Sequence, residues 1–228
     1  MSSFTPSHAQ LRKAFDLLLT TYGEQGWWPG ETPFEVMLGA ILTQNTAWSN
    51  VEKAIANLKQ ANLLSPGSIL EVSQERLADL IRPSGYFNIK ASRLKNFCSF
   101  LLLSGGEAGL REQSTEELRQ ALLTVNGVGP ETADDILLYA FERPVFVIDA
   151  YTRRIFTRLG VANGMESYEE LRSGFESALG PEVALYNEFH ALIVRHAKLA
   201  CNTKPHCEQC GLVEICSMGS KRQISSGG

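Results

Sequence analysis

Four of the chain's five cysteines lie between Cys201 and Cys216, as Cys201, Cys207, Cys210 and Cys216 in a C-x5-C-x2-C-x5-C pattern. Thiols clustered so tightly, in a chain expected to be cytoplasmic, point to a metal centre rather than to scattered disulfides. Zinc sites commonly pair two C-x2-C halves, so one central pair with longer flanks leans towards a cubane [4Fe–4S] cluster, with zinc as the alternative. A second chemical group is Asp149, which follows the apolar run Val145–Ile148 and precedes the helical pattern Ala150–Leu159. At a helix N-terminus the free amides and the dipole favour an ionised carboxylate, available to balance positive charge or to orient a water. A plain helix cap explains the same residue, and the two roles are compatible.

Upstream, Val125-Asn-Gly127-Val-Gly129 separates an amphipathic stretch, Thr115–Thr124, from a second helix starting near Pro130. Two glycines permit a tight turn with exposed amides, and the helix N-terminus behind it adds donors suited to a DNA phosphate. The pattern reads as a helix-hairpin-helix that grips backbone without reading bases, with Val125, Gly127, Gly129 and Thr132 as its contact positions. Aromatic groups flank a further helix: Trp27-Trp28-Pro29 before it and Gln44-Asn45-Thr46-Ala47-Trp48 after it. Flipped bases are commonly held between such faces, whereas composition alone reads these tryptophans as core.

Helices must position all of this. Leu11, Phe15, Leu18 and Leu19 share one helix face, Thr32-Pro33 marks a cap and first turn, and Ser114/Glu117 and Ser167/Glu170 have capping-box spacing. Gly160 and Gly180 are natural stops, and no alternating strand pattern appears. The expected class is all-α. With 44% hydrophobic and 20% charged residues in 228, the chain can bury one large core or two small ones. No apolar run nears the roughly 18 residues of a membrane span, so a cytoplasmic, nucleoid-associated protein without membrane contact is expected. The net charge of −4 does not advertise a DNA ligand. Two basic runs, Lys90/Arg93/Lys95 and Arg153/Arg154/Arg158, are either solvated helix faces or local phosphate contacts. Cys98, alone on an apolar helix, reads as a buried small hydrophobe.

The hairpin, the downstream Asp149 and the cysteine cluster together resemble the endonuclease III family of helix-hairpin-helix DNA glycosylases, from about Phe34 to Cys216. The resemblance implies that Asp149 assists departure of a damaged base. Bifunctional members carry a lysine in the hairpin's second helix, and here that position is Glu131. A carboxylate cannot form a Schiff base, so a monofunctional, hydrolytic enzyme with weak or no strand-cleaving activity is expected.

Gly26-Trp-Trp-Pro, Leu42-Thr-Gln-Asn-Thr, Arg82-Pro-Ser-Gly-Tyr-Phe-Asn and Gly129-Pro-Glu-Thr-Ala-Asp look like the 3-methyladenine DNA glycosylase subgroup. That likeness implies a pocket for alkylated purines from Trp27, Trp28, Trp48 and Lys198, with Glu131 beside it. It makes Gln44 and Asn45 fillers of the space a flipped nucleotide leaves, and it makes the turn ending at Lys90 a second phosphate contact. Alkylation at purine N3 puts positive charge on the base, which strengthens stacking on indole rings. The expected architecture is a six-helix lobe over 30–141 and a second lobe from 1–29 and 142–228, with the cluster loop at 201–216. The pocket is expected at their junction, in a monomer that binds damaged double-stranded DNA. Excision of oxidised pyrimidines or mismatched bases, and a non-catalytic damage-binding module, are the alternatives.

Overall fold

Helix starts in this chain are set by capping side chains. Ser7, Thr32, Ser65, Ser73, Ser114, Asp149 and Ser167 each accept a hydrogen bond from the amide three residues on. The boxes at Ser114/Glu117 and Ser167/Glu170 are reciprocal, and Gly160 ends its helix in the left-handed region at φ 80°. The structure, a computed structural model, describes residues 4–27 and 30–219.

The helices in order are α1 (His8–Tyr22), α2 (Pro33–Leu42), α3 (Trp48–Gln60), α4 (Pro66–Glu71), α5 (Gln74–Leu80), α6 (Phe87–Leu103), α7 (Gly106–Arg111) and α8 (Thr115–Leu123). After them come α9 (Pro130–Asp135), which continues into a π-helical turn at Ile136–Ala140, α10 (Ala150–Leu159), α11 (Tyr168–Leu179) and α12 (Val183–Leu199). No strand occurs among the described residues. The fold is all-α, as the periodicity required.

The chain divides into two units. The middle unit runs to Arg143 and is built around α2, buried continuously from Glu35 to Leu42. Helices α3, α6, α9 and the π turn pack around it. A bidentate ion pair joins α8 to α9: Arg119 Nε and Nη2 donate to the two carboxylate oxygens of Asp134 at 2.7 and 3.2 Å, with both side chains buried. It spans the hairpin between the two helices and holds their separation.

The other unit joins residues up to Trp27 with those from Pro144 on. Its core is aromatic: Phe146 packs on Phe175 (4.6 Å between centroids), Phe175 meets Phe156 edge-on (4.8 Å), and Phe189 meets Phe15 edge-on (5.4 Å). The buried stretch Val145–Ile148 is extended, and side chains of α11 satisfy its amides. Phe146 N donates to Glu176 Oε1 (3.0 Å) and Ile148 N to the Tyr168 hydroxyl (3.4 Å). This segment delivers Asp149.

Neither reading of the basic runs survives intact. Lys95 Nζ donates to Leu70 O and Val72 O, Arg153 to Glu166 O, and Arg154 and Arg158 to carbonyls of the cysteine loop. These cations serve as internal caps for carbonyls. Lys90 is corrected outright as a phosphate contact. It is 1% exposed, and its ammonium donates to Leu42 O (2.8 Å) and Ser84 O (2.7 Å). Cys98 is buried, as expected, and desolvation pushes its thiol up to about 12.

Candidate active site and nucleic-acid interface

Asp149 caps α10 with one oxygen and leaves the other for a different partner. Oδ1 accepts from Thr152 N (2.7 Å) and Thr152 Oγ1 (2.8 Å), while Oδ2 stands 3.5 Å from His190 Nε2. The carboxyl is 9% exposed. Burial alone would raise its pKa, but His190 and the Thr152 bonds outweigh that effect and hold it below the ordinary aspartate value. It is therefore a carboxylate at neutral pH, in a dry setting where its charge acts strongly.

His190 was not singled out on the sequence. It occupies one buried position of α12, between Tyr186 and Ile193, and a histidine among such apolar neighbours reads as core. The legible signal was an imidazole on an otherwise apolar, fully buried face. Its ring lies 5.9 Å from the Trp27 ring, tilted by 35°. Trp27 is brought there because the preceding segment is tied to α12: Gln25 N donates to Glu188 Oε1 (2.6 Å), and Arg195 Nη1 donates to Gln25 Oε1 (2.8 Å). One expected pocket residue, Trp27, thus stands against the neighbour of the expected acid.

Trp28 lies outside the described residues. Lys198 is exposed in the last turn of α12, eight positions after His190, or about 12 Å along the axis. Trp48 opens α3 in the middle unit, where its indole lies over Gly39 of α2. A Cβ at Gly39 would come within 3.1 Å of Trp48 Cη2. Beside it is a cavity of about 530 Å³ bordered by Gly30, Glu35, Glu52 and Lys59. Lys59 there is held by Glu31 (2.9 Å) and Glu35 (3.0 Å).

The hairpin has the geometry its glycines demand. Gly127 sits at φ 100°, where a side chain is strained, and a Cβ would also strike the Arg93 stem at 2.3 Å. Val125 and Val128 are buried and pin the turn, with Val128 N donating to Val125 O (2.9 Å). Gly129 and Glu131 are exposed at the start of α9.

Two expected DNA contacts face inward instead. The Gln44 amide donates to Gly127 O (3.0 Å) and Thr132 Oγ1 (2.9 Å), and its carbonyl accepts from Arg93 Nη1. Gln44 therefore clips the hairpin to the end of α2, and the buried Thr132 hydroxyl completes the clip. Asn45, next to it, is exposed in the left-handed region at φ 55°. Of the pair, Asn45 is the more exposed and Gln44 is half-buried.

The four clustered thiols lie close enough for Cys201, Cys216 and Cys207 each to raise the pKa of Cys210, after the larger effect of burial. Arg158 Nη1 is 3.3 Å from Cys201 Sγ. His196 Nε2 is 3.6 Å from Cys210 Sγ, and its Nδ1 is 2.9 Å from the Tyr22 hydroxyl. Burial pulls His196 down to about 4, so the ring is neutral. Among the described residues, however, no three His, Cys, Asp or Glu side chains stand in ligand geometry for a metal ion. The four thiols suit a thiolate-bound centre in residue type and number, but their atoms do not stand in ligand positions.

Comparison with known proteins adds to this geometry. The profile of the HhH-GPD superfamily base excision DNA repair proteins matches residues 38–181. A Methanocaldococcus jannaschii protein, whose name places it provisionally among DNA repair glycosylases, is 50% identical over 207 residues, covering 90% of this chain and 94% of that one. The H. pylori 3-methyladenine DNA glycosylase, solved with 1,N6-ethenoadenine bound, is 32% identical with a TM-score of 0.72, over 85% of this chain and 97% of that one. A non-covalent complex of endonuclease III with DNA has the same fold, with a TM-score of 0.82 at 23% identity over 96% and 99% of the two chains.

Proposed function

The chain belongs to the HhH-GPD superfamily of base excision DNA repair proteins, and from that premise we propose that it hydrolyses the glycosidic bond of alkylated purines in double-stranded DNA. DNA repair glycosylase is the general activity. The observation that carries the hydrolytic reading is Glu131, a carboxylate at the motif position where bifunctional members carry a lysine, in a chain whose Asp149 is buried and ionised. As the base departs, the sugar becomes cationic, and a fixed carboxylate in a dry site stabilises that charge. Asp149 Oδ2 also accepts a proton from the attacking water, which supplies the new bond to the anomeric carbon. The Glu131 carboxylate cannot form an imine, so the product is an abasic site with an intact strand.

The alkylpurine assignment draws on the indole of Trp27, beside His190 in the unit that carries Asp149, as a stacking face for a cationic base. The ligand seen with the H. pylori relative is of the same purine class. Lys198 enters the pocket in this reading as a carbamylated side chain. DNA is gripped by the hairpin amides around Gly127 and Gly129, while Asn45 fills the space the extruded nucleotide vacates. Cys201, Cys207, Cys210 and Cys216 would hold a [4Fe–4S] cluster, whose contribution is to order the C-terminal loop.

The test is a panel of duplexes carrying methylated purines, oxidised pyrimidines or G·T mismatches, with borohydride present in parallel. Release confined to methylated purines with no trapped adduct is expected. Release of oxidised pyrimidines in preference, or a trapped protein–DNA adduct, contradicts the substrate or the hydrolytic part respectively.

A further inference from the structure

We infer that His190 is a positioning residue that fixes the reactive oxygen of Asp149 through its Nε2–H, an assignment that rests on Asp149 being the catalytic carboxylate. Oδ1 is already committed twice, to Thr152 N and Thr152 Oγ1 at 2.7 and 2.8 Å. Those two bonds anchor one corner of the carboxylate but leave its plane free to turn about that corner. Only Oδ2 remains for chemistry, and the group facing it is His190 Nε2 at 3.5 Å.

The two side chains are only 12% and 5% exposed, so water does not compete freely for the contact. A polar ring placed in an apolar helix face costs stability unless a specific partner uses it. Here the ring is also covered by Trp27, itself held by the Gln25 contacts to Glu188 and Arg195 on the same helix. The imidazole thus has a tethered indole and the carboxylate as its neighbours. The apo distance of 3.5 Å is longer than a good hydrogen bond and is of the kind that shortens in a reactive complex.

Two amide variants separate this role from core filling, because glutamine places its nitrogen near the histidine Nε2 position and asparagine near Nδ1. His190→Gln is expected to excise within about threefold of wild type under single-turnover conditions. His190→Asn, which falls short of Oδ2, is expected to be about 10- to 100-fold slower while binding an abasic-analogue duplex normally. Equal rates for the two variants, whether fast or slow, overturn the assignment.

Wild-type protein labelled at its histidine nitrogens gives a check independent of variant folding. Nε2 of His190 must carry a proton, and its resonance must move when the abasic-analogue duplex binds; an unprotonated or unresponsive Nε2 overturns the assignment. An Asp149→Asn control keeps the two claims apart. Wild-type rates in that control remove the acid and this inference with it. A full-speed His190→Asn beside a dead Asp149→Asn removes His190 alone. If the excised base is not an alkylated purine, the same comparison is run on the base that is released.

Discussion

Arg158 Nη1 stands 3.3 Å from both the carbonyl oxygen and the Sγ of Cys201. The same guanidinium donates to Asn202 O (2.6 Å), and Arg154 Nε reaches Cys201 O (2.9 Å). Helix α10 therefore carries Asp149 as its N-cap and grips the cysteine loop with its second half. The catalytic candidate and the metal candidate share one rigid element.

Arg158→Met removes a charge-assisted donor and leaves loop carbonyls short of a partner, a loss of about 2 kcal/mol. A lower Tm and less iron and visible absorbance in the purified protein are expected. Wild-type values for all three would mean that the loop is held by other contacts.

Breaking the clip at Gln44 tests the hairpin. Gln44→Ala frees Gly127 O, Thr132 Oγ1 and the Arg93 guanidinium at once. Weaker binding to an abasic-analogue duplex is expected, with faster amide exchange at 125–129 and a stability loss of about 1–2 kcal/mol. Unchanged exchange there would show that Val125 and Val128 alone hold the turn.

The buried pair Arg119–Asp134 invites a double-mutant cycle. Asp134→Asn or Arg119→Met alone strands a buried charge or its donors and is expected to cost about 3–5 kcal/mol. Replacing both by apolar residues is expected to recover much of that. Additive losses in urea unfolding would argue against tight coupling.

Lys90 carries a pH signature. Burial lowers its pKa from 10.5 to about 8. Between those values the unfolded chain binds more protons than the folded one, so this group's contribution to stability rises with pH and is smallest below about 8. The expected rise is on the order of 1–3 kcal/mol across that window. Cys98, pushed up to about 12, acts with the opposite sign above its ordinary value, so the readout is the difference between wild type and Lys90→Met. A pH-independent difference contradicts the assigned shift.

What the sequence made legible was local. The boxes at Ser114 and Ser167, the cap at Thr32 and the stop at Gly160 need only neighbours within one turn, and each appears as its residues require. The partners of Lys90, Arg93, Arg154 and Arg158 are carbonyls or amides from distant segments, which no charge pattern reveals. Gln44 reaches a hairpin 83 positions away, so its inward turn could not be read from the helix end it occupies. His190 was hidden for the same reason: its meaning comes from Asp149, which only the fold brings beside it.

The most direct measurement is single-turnover release of methylated purines from alkylated duplex DNA by wild type and by Asp149→Asn. Release by wild type is expected, with a loss of at least about 100-fold in the variant while abasic-analogue binding persists. Release at the same rate by both proteins, or by neither, would contradict the assignment of Asp149 as the catalytic carboxylate of an alkylpurine glycosylase.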